Sequence, residues 1–282
     1  MSYIVETALE LACVYSFVAL ALFLSFRILD IADLTTDGCF VLGMCVSIVC
    51  TLNNHPLLGI FMGMVSGGLA GLVTALLQTK LGVPSILAGI ITNTALYTIN
   101  LMVMGFSSNI SILRNKTIFN GNKLLLLVLI VVVAMILLRY FLSTRLGLSI
   151  RATGDNIDMV SASSINPKAC ILIGLVMSNM LTGLGGALAG QLQKSADINA
   201  GNGIVTIGLA TLIIGETVIN GKKSITRNII ACLIGNIIYR LIYAFILQTH
   251  IIPIECLKLM TALIITLAIA LPYLKDRKKA LC

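Results

Sequence analysis

Runs of about twenty apolar residues recur along the whole chain and constrain its fold more than any other feature. They cover residues 9–26, 57–77, 85–104, 124–142, 169–190, 204–219, 229–247 and 256–274, and a shorter run, 39–52, lies between the first two. A helix needs roughly 20 mostly apolar residues to cross a bilayer. Only 11% of the 282 residues are charged and the mean hydropathy is +1.05, whereas a soluble domain carries about 25% charge. So few charges cannot cover the surface of a soluble protein of this size. The expected fold is an all-α polytopic membrane bundle of about 8–10 spans, with residues 1–282 forming a single transmembrane domain.

The bases set an orientation. Lys275, Arg277, Lys278 and Lys279 follow the last run, and the positive-inside rule places such a tail in the cytoplasm. Counting back puts Arg27, Lys80, Arg145, Arg151, Lys168, Lys222, Lys223 and Arg227 on the same side. Arg114, Lys116, Lys123, Lys194 and Lys258 fall opposite, the N-terminus is external, and Arg240 lies within a run. The net charge of +8 is therefore a topology signal, and membrane lipid is the expected partner, not nucleic acid. Glu6 and Glu10 stand where a signal peptide would be basic, so the N-terminus reads as a span. The eight cysteines follow neither metal-ligand nor disulfide spacing and read as apolar packing residues.

Two runs carry small residues at every fourth position: Gly59, Gly63, Gly67 and Gly71, and Gly174, Ser178, Thr182, Gly186 and Gly190. Such stripes let helix backbones approach closely in lipid. Two polar, glycine-containing stretches interrupt the apolar pattern, residues 30–38 and 197–203. The charge-derived topology puts the first on the cytoplasmic side and the second outside. Matched interruptions in opposite orientation suggest inverted repeats with interrupted helices. Their polar residues Asp33, Thr36, Asp37 and Asn199, with Asn93, Asn179 and Glu216 in or at the ends of spans, are the candidate lining of a translocation path. For Asn93 and Asn179, hydrogen bonding between helices is an equal reading. For Glu216 a structural or gating role is favoured over substrate contact.

The segment from Gly147 to Asn166 is too long and too patterned for a minimal connector, and Asp155 or Asn156 can cap a short helix within it. Gly147, Arg151, Ala152, Gly154, Asn156, Ile165 and Asn166 fit a loop that reads G-x-x-x-R-A-x-G-x-N, then small residues, then G-I-N. That loop belongs to the ABC-importer permeases serving branched-chain amino acids, ribose and related solutes. Ser164 replaces the last glycine. The sequence around Asp33–Gly43, the segments 69–93 and 183–190, and Gly208 through Glu216 also resemble the family. The Asp-Leu-Thr-x-Asp-Gly variant is most similar to the branch linked to tryptophan, tyrosine and other small aromatic or heterocyclic solutes.

The resemblance implies a permease subunit that pairs with a second copy of itself in a bacterial cytoplasmic (inner) membrane. Two ABC ATPase subunits would supply ATP and magnesium chemistry, and an extracellular solute-binding protein would deliver the solute. It assigns docking to the ATPase to the loop 145–167, through Arg151, Ala152, Gly154, Asp155, Asn156, Ala162 and Asn166. A secondary transporter or channel working without an ATPase is the alternative. No cofactor site is expected in the chain itself. The segment 215–224 imitates a phosphate-binding loop, but with five residues between its glycines and Lys223 where Ser or Thr should hold magnesium. No catalytic or metal constellation is expected, and His55 and His250 read as surface residues.

Overall fold

A computed structural model describes residues 2–113, 115–119, 121–219 and 224–248, together with Ala262, Leu263, Thr266 and Ala270. Apart from those four residues, the run expected at 256–274 lies outside the described residues. So do Arg114, Lys222, Lys223, His250, Lys258 and the basic tail.

Six helices are long and apolar enough to cross a membrane. The first is α1 (Ser2–Leu22) with a π-helical continuation over Phe23–Ile28. The others are α3 (Pro56–Thr79), α4 (Ser85–Val103), α5 (Lys123–Ser143), α8 (Pro167–Gln193) and α10 (Ile225–Gln248). Two apolar helices are shorter, α2 (Thr36–Leu52) and α9 (Ile204–Ile219). Two polar ones, α6 (Arg145–Asp155) and α7 (Ile157–Ala162), connect α5 to α8. Among the described residues the strands are β1 (Asn109–Ser111) and β2 (Ser195–Asp197), paired antiparallel with Ile110 opposite Ala196. The chain is a multi-pass helical membrane protein.

Side chains small enough to vanish position the centre of the bundle. Helices α3 and α8 run antiparallel: Gln191 Nε2 donates to the Pro56 carbonyl at 2.7 Å, Gly67 lies on Gly183, and Gly71 lies on Asn179. The α3 stripe thus packs as its spacing predicts. On α8, however, the glycine that meets α3 is Gly183, which lies outside the expected stripe. Gly186 and Gly190 of that stripe instead receive α2, against Phe40 and Met44. Gly43 completes the junction, since a Cβ there would collide with the Gly183 carbonyl. Lipid offers helices no hydrophobic drive to associate, so close backbone approach and dispersion have to supply it.

The first interruption does not stay at the surface. Where α1 ends, Ile28 and Leu29 pack on Gly154 and Gly174. Asp33 is bonded to Asn179, near the midpoint of α8. Residues 29–35 therefore climb beside α8 as non-helical backbone, and α2 starts only inside the bundle. Seventeen helical residues rise about 25 Å, short of the roughly 30 Å of hydrocarbon, and the unwound residues supply the rest. The second interruption is its inverse. From β2 the chain turns back inward to Asp37, and α9 then runs to the opposite end, where Arg27 Nε meets Glu216 Oε1 at 2.9 Å. Two half-length helices thus start in the interior and leave towards opposite ends. The end holding Arg27, Arg145, Arg151 and Lys168 gathers bases that the charge pattern assigns to one side.

Candidate translocation site

Non-helical backbone inside a membrane bundle needs partners for every polar group. At the first break they come from three elements. Asp33, 2% exposed, accepts from the Thr35 backbone N–H at 2.9 Å and from Asn179 Nδ2 at 2.6 Å. Asn179 Nδ2 also donates to the Leu175 carbonyl at 3.0 Å, which fixes the orientation of its amide. The Thr35 and Thr74 hydroxyls meet at 2.8 Å, and Thr36 Oγ1 donates to the Asp33 carbonyl. Asp33, Thr36 and Asn179 therefore form one sealed cluster tying the break to α8, with Thr35 tying it to α3.

Asp37, one helical turn further on, faces the other break. Its carboxylate accepts from the backbone N–H of Val205 at 2.9 Å and of Gly203 at 3.4 Å. It thereby caps the first turn of α9, whose unpaired N–H groups carry partial positive charge. Beside it lies a polar pocket of about 140 Å³, bounded by the start of α2, by α4 and by residues 198–202. From α4 come Asn93, Thr94, Tyr97 and Asn100. Gly38 lets that helix approach, since a Cβ there would meet Asn93 Oδ1 and Leu96. Asn100 Nδ2 donates to the Gly38 carbonyl at 3.3 Å, while its Oδ1 is buried without a donor.

The structure thus divides the sequence-derived path residues. Asp37 and Asn93 line the pocket. Asp33, Thr36 and Asn179 lie in the sealed cluster behind it. Asn199 is near the pocket's outer edge, its N–H bonded to Asp197 and its Oδ1 3.5 Å from Asn202 Nδ2. Glu216 is remote, at the Arg27 end. Sequence reasoning missed Tyr97 and Asn202, which read as one aromatic in an apolar run and one loop residue. It also missed Gln191, fully buried and bonded to Ser47 and Pro56; a glutamine near the end of a glycine-rich span was the available signal. Arg240, 8% exposed, lays its guanidinium over the Tyr15 ring at 3.8 Å. Its charge is therefore met by a π face, with no ion pair among the described residues.

The segment 145–167 holds two helices where the sequence suggested one. Thr144 caps α6 and Asn156 caps α7, accepting from Met159 N at 3.0 Å. Asn166 Oδ1 accepts from the N–H groups of Lys168 and Ala169 and caps α8. Arg151 and Ala152 are half-buried in α6, and Asp155 and Ala162 are exposed. Gly154 turns inward: a Cβ would run into the Ile28 carbonyl. It serves the joint between α6 and the end of α1, and is itself only partly exposed. Ser164, standing where the resembled loop has glycine, adopts φ +60°, a left-handed conformation that glycine reaches without strain. Gly215 of the phosphate-loop imitation sits within α9 against Ala231, and residues 220–223 of that segment lie outside the described residues.

The profile of the family described as "Branched-chain amino acid transport system / permease component" matches residues 4–269. A tyrosine transport system permease protein of Clostridioides difficile is 33% identical over 255 residues, covering 89% of this chain and 85% of its own. An uncharacterized protein of Rickettsia prowazekii is 32% identical over 275 residues, covering 95% of this chain and 97% of its own. A D-allose transport system permease protein of Escherichia coli is 35% identical over 104 residues, 36% of this chain and 31% of its own. No solved structure matches. With a match over nearly its full length, the chain belongs to the branched-chain amino acid transport system permease family.

Proposed function

We propose that this chain is the membrane-spanning subunit of an ATP-driven ABC importer in a bacterial cytoplasmic membrane, carrying an aromatic amino acid or a related small heterocycle. The observation that carries this reading is the convergence of two inverted half-helices and α4 on one polar pocket, in a chain of a permease family. Irregular backbone at membrane depth is tolerated where protein surrounds it or where it lines a cavity, and transporters place their substrate sites at such interruptions. The pocket, at about 140 Å³, is smaller than the roughly 300 Å³ where ordinary ligand sites begin. A second copy facing the exposed side of α4 would complete the path.

In this reading two separate ATPase subunits bind ATP and magnesium and dock on the segment 145–167, and an extracellular binding protein delivers the solute. The exposed residues Asp155, Asp158, Met159, Ser161 and Ala162 offer the docking face, with Asn156 and Asn166 fixing the helices that carry it. Closure of the ATPases would reach the bundle through α6, which rests on the end of α1 at Gly154. The test is reconstitution with a partner ATPase and binding protein from the same organism. ATP-dependent uptake of labelled tyrosine, lost when the ATPase is omitted, supports the importer. Uptake driven by an ion gradient without ATPase would replace it with a secondary transporter.

A further inference from the structure

We infer that the pocket at the α2–α9 junction recognises the ammonium group of its solute, so that it selects amine-bearing solutes over neutral polyols and over acids that lack the amine. This rests on the reading of the pocket as part of the transport path and adds the chemical class that it takes.

The chemistry of the lining carries the inference. Among the described residues the single formal charge in the lining is the Asp37 carboxylate, and no described lysine or arginine reaches the pocket. Asn100 is 2% exposed, its Nδ2 is committed to the Gly38 carbonyl, and its Oδ1 has no donor. Reversing the amide would set Oδ1 against the Gly38 oxygen, so the unpaired atom is the acceptor. A buried acceptor without a donor is destabilising, a cost that a donor arriving with the solute would remove. Thr94 donates its hydroxyl proton to the Ile90 carbonyl and is left with lone pairs. Asn202 commits Nδ2 to Asn199, again leaving the oxygen free. The half-exposed Tyr97 adds a ring face of the kind that attracts cations. Asn93 and the Tyr97 hydroxyl add donors to the lining. What sets the site apart is the pairing of one carboxylate with the buried, unpaired Asn100 acceptor, and a cation carrying several N–H donors can serve the two together. An ammonium group meets that demand. The hydroxyls of a sugar could donate but would bring no full positive charge to complement a carboxylate that so far meets only the partial charge of the α9 N–H groups, and a carboxylate alone would be repelled.

Asp37 also caps α9, and a purely structural cap has to be told apart from a recognition group. Asn caps helices as well as Asp does, so Asp37→Asn keeps the cap and removes the charge. The measurement is solute binding to the purified full-length permease in lipid nanodiscs, read as the shift of its thermal midpoint. The probes are L-tyrosine and L-leucine, their des-amino counterparts 3-(4-hydroxyphenyl)propionate and 4-methylpentanoate, and D-allose. The expected result is a concentration-dependent shift with at least one of the two amino acids, at least tenfold weaker apparent affinity for its des-amino counterpart, and no shift with D-allose. In Asp37→Asn the ligand-free midpoint should stay near that of the wild type, and the preference for the amine should be lost. Equal binding of the des-amino acid, binding of D-allose alone, no binding of any probe to the wild type, or an unchanged amine preference in Asp37→Asn would overturn the inference. If Asp37→Asn fails to fold, the wild-type series still decides. ATPase recruitment, measured separately, keeps the two proposals apart: a complex that couples to its ATPase without amine preference retains the importer and loses this inference.

Discussion

The two interruptions mirror each other in direction and differ in how they are held. At the first, residues 29–35 bring their own anchor. Asp33 makes an Asx turn with Thr35, and the same carboxylate is clamped by Asn179 from α8. The Thr35–Thr74 hydroxyl pair adds α3. At the second, residues 198–203 include exposed Asn199 and Asn202, and the start of α9 depends on a carboxylate borrowed from α2. At the first break Asp33 and Thr35 are buried between α3 and α8, whereas the second has the pocket on one flank. Regions with few buried contacts and exposed backbone open at low free energy. In the proposed transport path this difference makes α2 the scaffold and the start of α9 the part free to respond to a solute.

The largest effect should come from breaking the closed side. Asn179→Leu leaves one oxygen of the buried Asp33 carboxylate without its donor, a loss of roughly 3 kcal/mol for a charged group. A markedly lower thermal midpoint and poor recovery from detergent would follow; an unchanged midpoint would mean that Asp33 is not held by this bond.

At the open side the cost should be smaller and dependent on chemistry. Asp37→Ala removes the cap of α9 at about 1 kcal/mol, and Asp37→Asn should cost only a few tenths. Equal losses for both variants, measured by thermal unfolding in nanodiscs, would show that the charge and not the cap stabilises α9.

The smallest change should come from outside both breaks. Ser164→Gly relieves a left-handed residue and should stabilise by up to about 1 kcal/mol, leaving the difference between the two sides intact. A loss of stability would mean that the Ser164 side chain makes a contact of its own.

Most of the architecture was legible because lipid makes helix length and charge placement nearly sufficient. The runs at 57–77, 85–104 and 124–142 correspond to α3, α4 and α5 within a few residues. The depth of the interruptions was not legible. A cluster such as Asp30, Asp33 and Asp37 scores as a surface loop until the partner that neutralises it is known, and Asn179 lies 146 positions away. The inverted arrangement could be suspected from the paired glycine-containing gaps, but the transfer of the α9 cap to Asp37 is a tertiary contact without local signature. The neighbour of Gly154 was not legible for a related reason: the spacing of a motif places a glycine on a helix and is silent about which neighbour presses on it, here the Ile28 carbonyl.

Hydrogen–deuterium exchange across the two breaks, in the permease in nanodiscs, tests the central claim most directly. The closed first break and the responsive second one should differ without any mutation. The amides of residues 33–38 are predicted to exchange slowly with and without solute. Those of 198–203 should exchange faster and slow down when an amino acid that shifts the thermal midpoint is added. Slow exchange at 198–203 regardless of solute, or solute-dependent protection confined to 33–38, would contradict the assignment of scaffold and moving part.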